Sequence, residues 1–157
     1  MAGETPATRA LAAAGIAFST HRYEYDPGAD SIGLAAAEAL GEHPSRVLKT
    51  LMVRIDGKPA CAILAADLSL SMKRLAAAAG GKSAGMMPPP EAERLTGYKV
   101  GGISPIGQKK PVRTFLDAAA AREPFVYVNG GQRGLQLRLD PADLAAAAAA
   151  VIAPLGA

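Results

Sequence analysis

The chemistry-bearing side chains of this chain are few, and the pattern around Lys49 is the sharpest. Side chains alternate between the two faces of a strand, so in the run Val47 to Arg54 Lys49 shares a face with Val47, Leu51 and Val53. Burying an unpaired ammonium among apolar neighbours is expensive, which suggests a lysine directed into a cleft. An edge lysine running its stem along the sheet to water gives the same pattern. The second concentration is Thr96 to Lys110 (Thr-Gly-Tyr-Lys-Val-Gly-Gly-Ile-Ser-Pro-Ile-Gly-Gln-Lys-Lys), with four glycines, three lysines and one proline and no strand or helix period. Gly101-Gly102 can present consecutive N–H groups to an anion or to a developing oxyanion, and Lys99, Lys109 and Lys110 add positive charge. A turn or bulge on the surface, with solvated lysines, is the plainer alternative.

Familiar hydrolytic and cofactor machinery is missing from the sequence. Gly102 to Gly107 begins like a phosphate loop, but Gln108 stands where the lysine belongs and no Ser or Thr follows Lys109. No Gly-x-Gly-x-x-Gly lies between a strand and a helix. His21 and His43 are the only histidines and form no His-x-x-x-His pair. Ser104 precedes Pro105 in a turn with no nucleophile elbow around it. Cys61, the single cysteine, lies in an apolar strand where a buried inert thiol is expected, and alone it can form neither an intramolecular disulfide nor a Cys-based zinc site. Asp26 and Asp67 have no evident carboxylate partner. No metal and no cofactor are expected.

These residues must be positioned by short elements. Thr5-Pro6 starts a helix that Gly15 stops; Phe18 to Tyr25 is extended, and Asp26-Pro27-Gly28 is a turn. Ser31 caps a helix through Ala39 that ends at Gly41. Val47 to Ile55 and Ala60 to Ala65 form a hairpin about Asp56-Gly57. Ser71 caps a helix through Ala79, and Pro88-Pro89-Pro90 leads into a short helix, Glu91 to Leu95. Val112 to Ala121 is expected to be helical at least in part. Phe125 to Val128 and Leu135 to Leu139 form a second hairpin around Asn129-Gly130-Gly131, and Asp140-Pro141 starts a last helix that Pro154 ends. Hairpins separated by short helices predict a mixed α+β fold. At 157 residues, half of them hydrophobic, the chain 1–157 reads as one domain with a real core. The alanine tracts are helix filler. A net charge of +3 is a mild basic bias, compatible with a polyanionic partner without requiring one. The opening Met-Ala-Gly-Glu-Thr-Pro has no leader pattern and Ala145 to Ala150 is too short to span a bilayer, so a cytoplasmic location and no membrane partner are expected.

The motifs resemble those of a known family. Gly97-Tyr98, Val100-Gly101-Gly102-Ile103-Ser104-Pro105 and Gly107-Gln108-Lys109-Lys110 closely resemble the signature of the YbaK/EbsC family of aminoacyl-tRNA deacylases, relatives of the editing domain of bacterial prolyl-tRNA synthetases. His21 to Pro27, Val47 to Leu51, Tyr127 to Gly131 and Arg133-Gly134-Leu135 fall in the same order and spacing. The resemblance covers nearly the whole chain and is strongest to the Cys-tRNA(Pro) deacylase branch. It implies a mainly antiparallel, barrel-like sheet with short helices around it. It also implies a trans-editing deacylase that removes cysteine from mischarged Cys-tRNA(Pro), the substrate's own thiol attacking its ester, with prolyl-tRNA synthetase supplying tRNA identity. By the same resemblance Lys49 and Gly101 are the catalytic candidates: Lys49 holds the terminal nucleotide and Gly101 positions the ester. Tyr23, Ile32, Thr50, Gly102, Ile103, Ser104, Pro105, Asn129, Gly130 and Gly131 are the further substrate-binding candidates, and Lys109, with Lys110, is expected at phosphates. The chain departs from the family pattern at Ile32, Asn129 and Gln136, which bears on amino-acid specificity more than on reaction type. A deacylase for another small residue such as alanine, and a non-catalytic tRNA- or nucleotide-binding module, stay open as alternatives.

Overall fold

The fold is built from strands that bury apolar side chains on both faces and from short capped helices that cover them. A computed structural model describes residues 4–157; Met1–Gly3, the first residues of the opening read for a leader, lie outside the described residues. Helix α1 (Pro6–Ala13) begins with a capping box: Thr8 N–H donates to Thr5 Oγ1 at 3.1 Å and Thr5 N–H to Thr8 Oγ1 at 2.8 Å. Strand β1 (Ser19–Arg22) follows. Helix α2 (Ile32–Leu40) is capped by Ser31 and stopped by a left-handed Gly41. A short 3₁₀ turn (Pro44–Arg46) leads into the hairpin β2 (Leu48–Ile55) and β3 (Lys58–Ala65). Next come α3 (Met72–Ala78), β4 (Ala84–Met86), α4 (Pro89–Thr96), β5 (Arg113–Asp117), α5 (Ala118–Ala121), the hairpin β6 (Val126–Asn129) and β7 (Leu135–Leu139), α6 (Pro141–Ala147) and β8 (Ala150–Ala153).

The strands form two sheets, β1-β7-β6 and β4-β2-β3-β5-β8. Hairpin pairing is antiparallel, with Lys49 opposite Leu64 and Asn129 opposite Gln136. The β3·β5 and β5·β8 pairs are parallel. A single parallel bridge, Val47 to Tyr127, joins the start of β2 to β6 and lays the two sheets edge to edge. The architecture is the expected mixed α+β, its two sheets open and compatible with the barrel-like expectation.

One expectation holds in part, one changes, and one strand is new. Val112 to Ala121 is helical only from Ala118; Arg113–Asp117 is a strand, because Phe115 and Leu116 are both fully buried in different apolar clusters and only a strand exposes neighbours to opposite faces. The final helix ends at Ala147, short of Pro154. Ala149 takes a positive φ of 50° and the chain re-enters the sheet as β8 beside β5. Strand β4, unforeseen, pairs Ala84–Met86 with the end of β2. One large cluster (Leu11, Ile63, Leu116, Val128, Leu137 and Leu144 among others) fills the space between the sheets and helices α1 and α6. A second, around Val53, Leu75, Phe115 and Leu155, packs α3 on the other face of β2, β3 and β5.

Candidate active site

The edge-to-edge seam leaves a cavity of about 290 Å3 where β2 runs beside the β6–β7 hairpin. Its walls come from every element that the sequence motifs mark. The chain after β1 contributes Tyr23, the start of α2 contributes Ser31, Ile32 and Gly33, β2 contributes Leu48 to Leu51, and the glycine loop contributes Val100, Gly101 and Ile103. The hairpin supplies Asn129 and Gln136. Among the described residues no acidic side chain lines it, and Lys49 is the one formal charge on its walls.

Lys49 is half-buried, and its ammonium donates to the Leu68 carbonyl. Burial lowers its pKa, and the negative charge of Asp67 opposes that shift. Three polar atoms of the lining residues are buried and have no hydrogen-bond partner among the described residues: Tyr23 Oη, Thr50 Oγ1 and Gln136 Oε1. Burial raises the Tyr23 phenol pKa. Gln136 lies near enough to oppose the rise, although the two do not meet in hydrogen-bond geometry. Unpaired buried polar atoms cost about 1–3 kcal/mol each, and all three belong to residues that line this cavity. The cavity is therefore apolar on Ile32, Leu48, Leu51, Val100 and Ile103, and hydrogen-bonding on Tyr23, Thr50, Asn129 and Gln136.

The glycine loop is held rigidly against the hairpin. Asn129 Nδ2 donates to the Gly101 carbonyl at 3.1 Å, and Asn129 Oδ1 accepts from Gly131 N–H at 2.7 Å. Gly101 has φ +89°, and a Cβ there would lie 2.4 Å from the Tyr25 hydroxyl. A Cβ on Gly102 would lie 2.9 Å from Arg133 N and 3.0 Å from Gln132 C, both backbone atoms. The two glycines are thus required by close approach. They do not form the doubly open amide pair that the sequence allows, since Gly102 N–H donates to the Lys99 carbonyl at 2.8 Å.

The structure brings together Tyr23, Ile32, Lys49, Thr50, Gly101, Ile103 and Asn129, and it places the remaining candidates elsewhere. Ser104 and Pro105 are buried under the loop: Ser104 Oγ accepts from Ile106 N–H at 3.2 Å, and its carbonyl accepts from Gln108 Nε2 at 3.0 Å. Gly102 and Gly131 line a separate hollow with Thr5, Tyr98 and Arg133. The Gly130 carbonyl accepts from Thr5 Oγ1 and its N–H donates to Leu135 O, so it closes the hairpin. Lys109 and Lys110 are exposed on a separate, shallower depression of about 620 Å3, beside the ion pair of Arg54 and Glu91. That larger hollow contains none of the three unpaired buried polar atoms, and the smaller cavity is the better candidate. Gln136, only 5 % exposed, enters the site as a wall residue although its sequence signal was only a departure from pattern. Gly33 carried no signal, and Leu48, Leu51 and Val100 stood in the quoted motifs only as apolar residues with no binding role assigned. Cys61 is fully buried and its thiol is pushed up to about 12 by burial. Among the described residues no group of three or more His, Cys, Asp or Glu could hold a metal ion, and no helix is long and apolar enough to cross a membrane.

Comparison with known proteins places this geometry. Residues 26–147 match the family described as "Aminoacyl-tRNA editing domain". The chain is 37% identical over 122 residues, 76% of its length and 74% of the relative's, to the "Putative Cys-tRNA(Pro)/Cys-tRNA(Cys) deacylase EbsC" of Enterococcus faecalis. It is 34% identical over 134 residues to a proline–tRNA ligase of Nitratidesulfovibrio vulgaris, covering 85% of this chain and 22% of that larger protein. Among solved structures it superposes on "hypothetical protein APE2540" with a TM-score of 0.86 at 25% identity, over 98% of this chain and 100% of the other. It also superposes on a "putative trans-editing enzyme for prolyl tRNA synthetase" with a TM-score of 0.79 at 22% identity, over 98% and 99%.

Proposed function

We propose, from the premise that this chain belongs to the aminoacyl-tRNA editing domain family, that it is a single-domain trans-editing deacylase that clears cysteine from mischarged tRNA(Pro). The observation that carries the reading is the cavity itself: small, mostly apolar, one lysine, and three unpaired hydrogen-bonding atoms. It has the size and polarity for a short aminoacyl group on a ribose, and its walls hold neither a histidine nor a carboxylate to activate a water.

A substrate that carries its own nucleophile fits such a site. The cysteinyl sulfur, as thiolate, attacks the ester carbonyl carbon. A C–S bond forms and the C–O bond to the terminal ribose breaks. The ribose oxygen leaves and takes up a proton, and the amino acid departs as a small cyclic thioester. The protein's part is to fold the aminoacyl group into reacting geometry and to meet the negative charge on the carbonyl oxygen. In this reading Lys49 holds the terminal nucleotide and the Gly101 amide faces the ester. Tyr23, Thr50 and Gln136 satisfy the polar atoms of the aminoacyl group. The low pKa of a thiol relative to a hydroxyl explains preference for cysteine over serine, and alanine has no nucleophile at all. Prolyl-tRNA synthetase is the proposed source of tRNA identity, and the cytoplasm the proposed location, since aminoacyl-tRNA is made there.

The deciding experiment offers Cys-, Ala- and Ser-tRNA(Pro), and Cys-tRNA(Pro) with its sulfur methylated, with and without the synthetase. Rapid loss of cysteine alone is expected, with the methylated ester spared. Clearance of alanine, or equal cleavage of the capped ester, overturns the thiol mechanism.

A further inference from the structure

Three successive peptide planes of the glycine loop are each fixed from outside. In the plane joining Lys99 and Val100, Val100 N–H donates to Glu93 Oε2 at 2.9 Å and the Lys99 carbonyl accepts from Gly102 N–H. In the plane joining Gly101 and Gly102, the Gly101 carbonyl is held by Asn129 and the Gly102 N–H is the donor just named. In the middle plane the Val100 carbonyl accepts from Arg133 Nε at 2.9 Å. Of the six polar groups in these planes, the Gly101 N–H is the one with no partner among the described residues.

A trans peptide points its N–H opposite to its C=O. Arg133 is exposed and, with Gly102, lines a hollow separate from the cavity, its guanidinium 5.5 Å over the Tyr25 ring. Holding the Val100 carbonyl on Arg133 turns the Gly101 N–H of the same peptide away from that guanidinium, in a segment whose Val100, Gly101 and Ile103 line the cavity. Tyr25 supports both partners: it lies under the guanidinium, and its hydroxyl fills the space beside Gly101. We infer that Arg133 is a positioning residue for the reaction, aiming the free Gly101 amide at the substrate's carbonyl oxygen without touching the substrate. This deepens the deacylase reading and rests on it. It also separates Arg133 from the role its charge and exposure suggest, a contact to tRNA phosphate.

The test compares Arg133→Gln and Arg133→Lys with the unchanged chain. Single-turnover deacylation at saturating charged tRNA is followed together with tRNA affinity, thermal midpoint and the Gly101 amide resonance in 1H–15N spectra. Removing one oxyanion donor costs about 100- to 1000-fold in rate, and mis-aiming it should cost about 10- to 100-fold. The expected result for Arg133→Gln is that loss in rate, an affinity within about twofold of the parent, a preserved melting transition and a displaced Gly101 resonance, with Arg133→Lys recovering part of both rate and resonance. Weakened binding with an unchanged saturating rate, or slowed chemistry with an unmoved Gly101 resonance, overturns the inference. If the parent protein cleaves no charged tRNA, the deacylase reading fails by itself. The Gly101 resonance then still decides whether Arg133 sets that amide.

Discussion

Lys49 carries its charge at a cost, because burial favours its neutral form and a backbone carbonyl, with Asp67 at a distance, offers only partial compensation. Two consequences are testable. Lys49→Ala should lower turnover at saturating tRNA by at least about tenfold, measured in single-turnover deacylation. If the ammonium is the working form, activity should fall on the alkaline side from below the ordinary lysine range, and Lys49→Arg should move that limb upward in pH. The same shift acts on stability with a definite sign. The folded-state pKa is depressed, so between that value and the ordinary one the unfolded chain binds more protons, and stability rises with pH across this window. Cys61 is the converse case. A thiol pushed up to about 12 holds almost no thiolate near neutrality, so Cys61→Ala should keep nearly full activity and lose on the order of 1 kcal/mol of stability from a small buried void. An inactive but folded Cys61→Ala protein would move the nucleophile from substrate to enzyme.

The glycine loop, the β6–β7 hairpin and the end of β1 act as one braced unit. Gly102→Ala places a methyl group against the backbone of Gln132 and Arg133, which cannot swing away as a side chain could. We expect about 1–3 kcal/mol of destabilisation, read as a lower thermal midpoint. The capping signals at Thr5, Ser31 and Ser71 and the Asp56-Gly57 turn gave element ends to within a residue or two, because those signals are local. Ala150–Ala153 was misjudged, and Val112 to Ala121 was right only for its last four residues, for the opposite reason. Alanine, within β8 and directly after β5, favours helix locally, and only non-local pairing, of β5 with β3 and of β8 with β5, makes these segments strands. The site divides in the same way. Lys49 and Gly101 were readable because a lone charge on an apolar face and paired glycines break a pattern. Gly33, Leu48 and Val100 break none, and only folding shows that they line a wall.

At the scale of the whole molecule, the C-terminal strand is tied into the large sheet by parallel pairing with β5. Buried Asp117 accepts from Leu155 N–H at 2.8 Å and from Gly156 N–H at 3.3 Å, fastening the C-terminal strand to β5. Asp117→Ala leaves both donors unpaired. It should cost about 2–4 kcal/mol, visible in urea unfolding as a lower midpoint with little change in slope. The small sheet makes a longer connection, pairing Ser19–Arg22 with Leu135–Arg138 across more than a hundred residues of intervening chain. Tyr23 and Gln136 become cavity neighbours only through that pairing. A nascent chain emerging from the ribosome can build the β2–β3 hairpin early, but it has no catalytic hollow until residues near 136 have emerged. Competence to edit is therefore gained late, by capture of a waiting N-terminal strand, and fraying of that same strand is the shortest route to losing it.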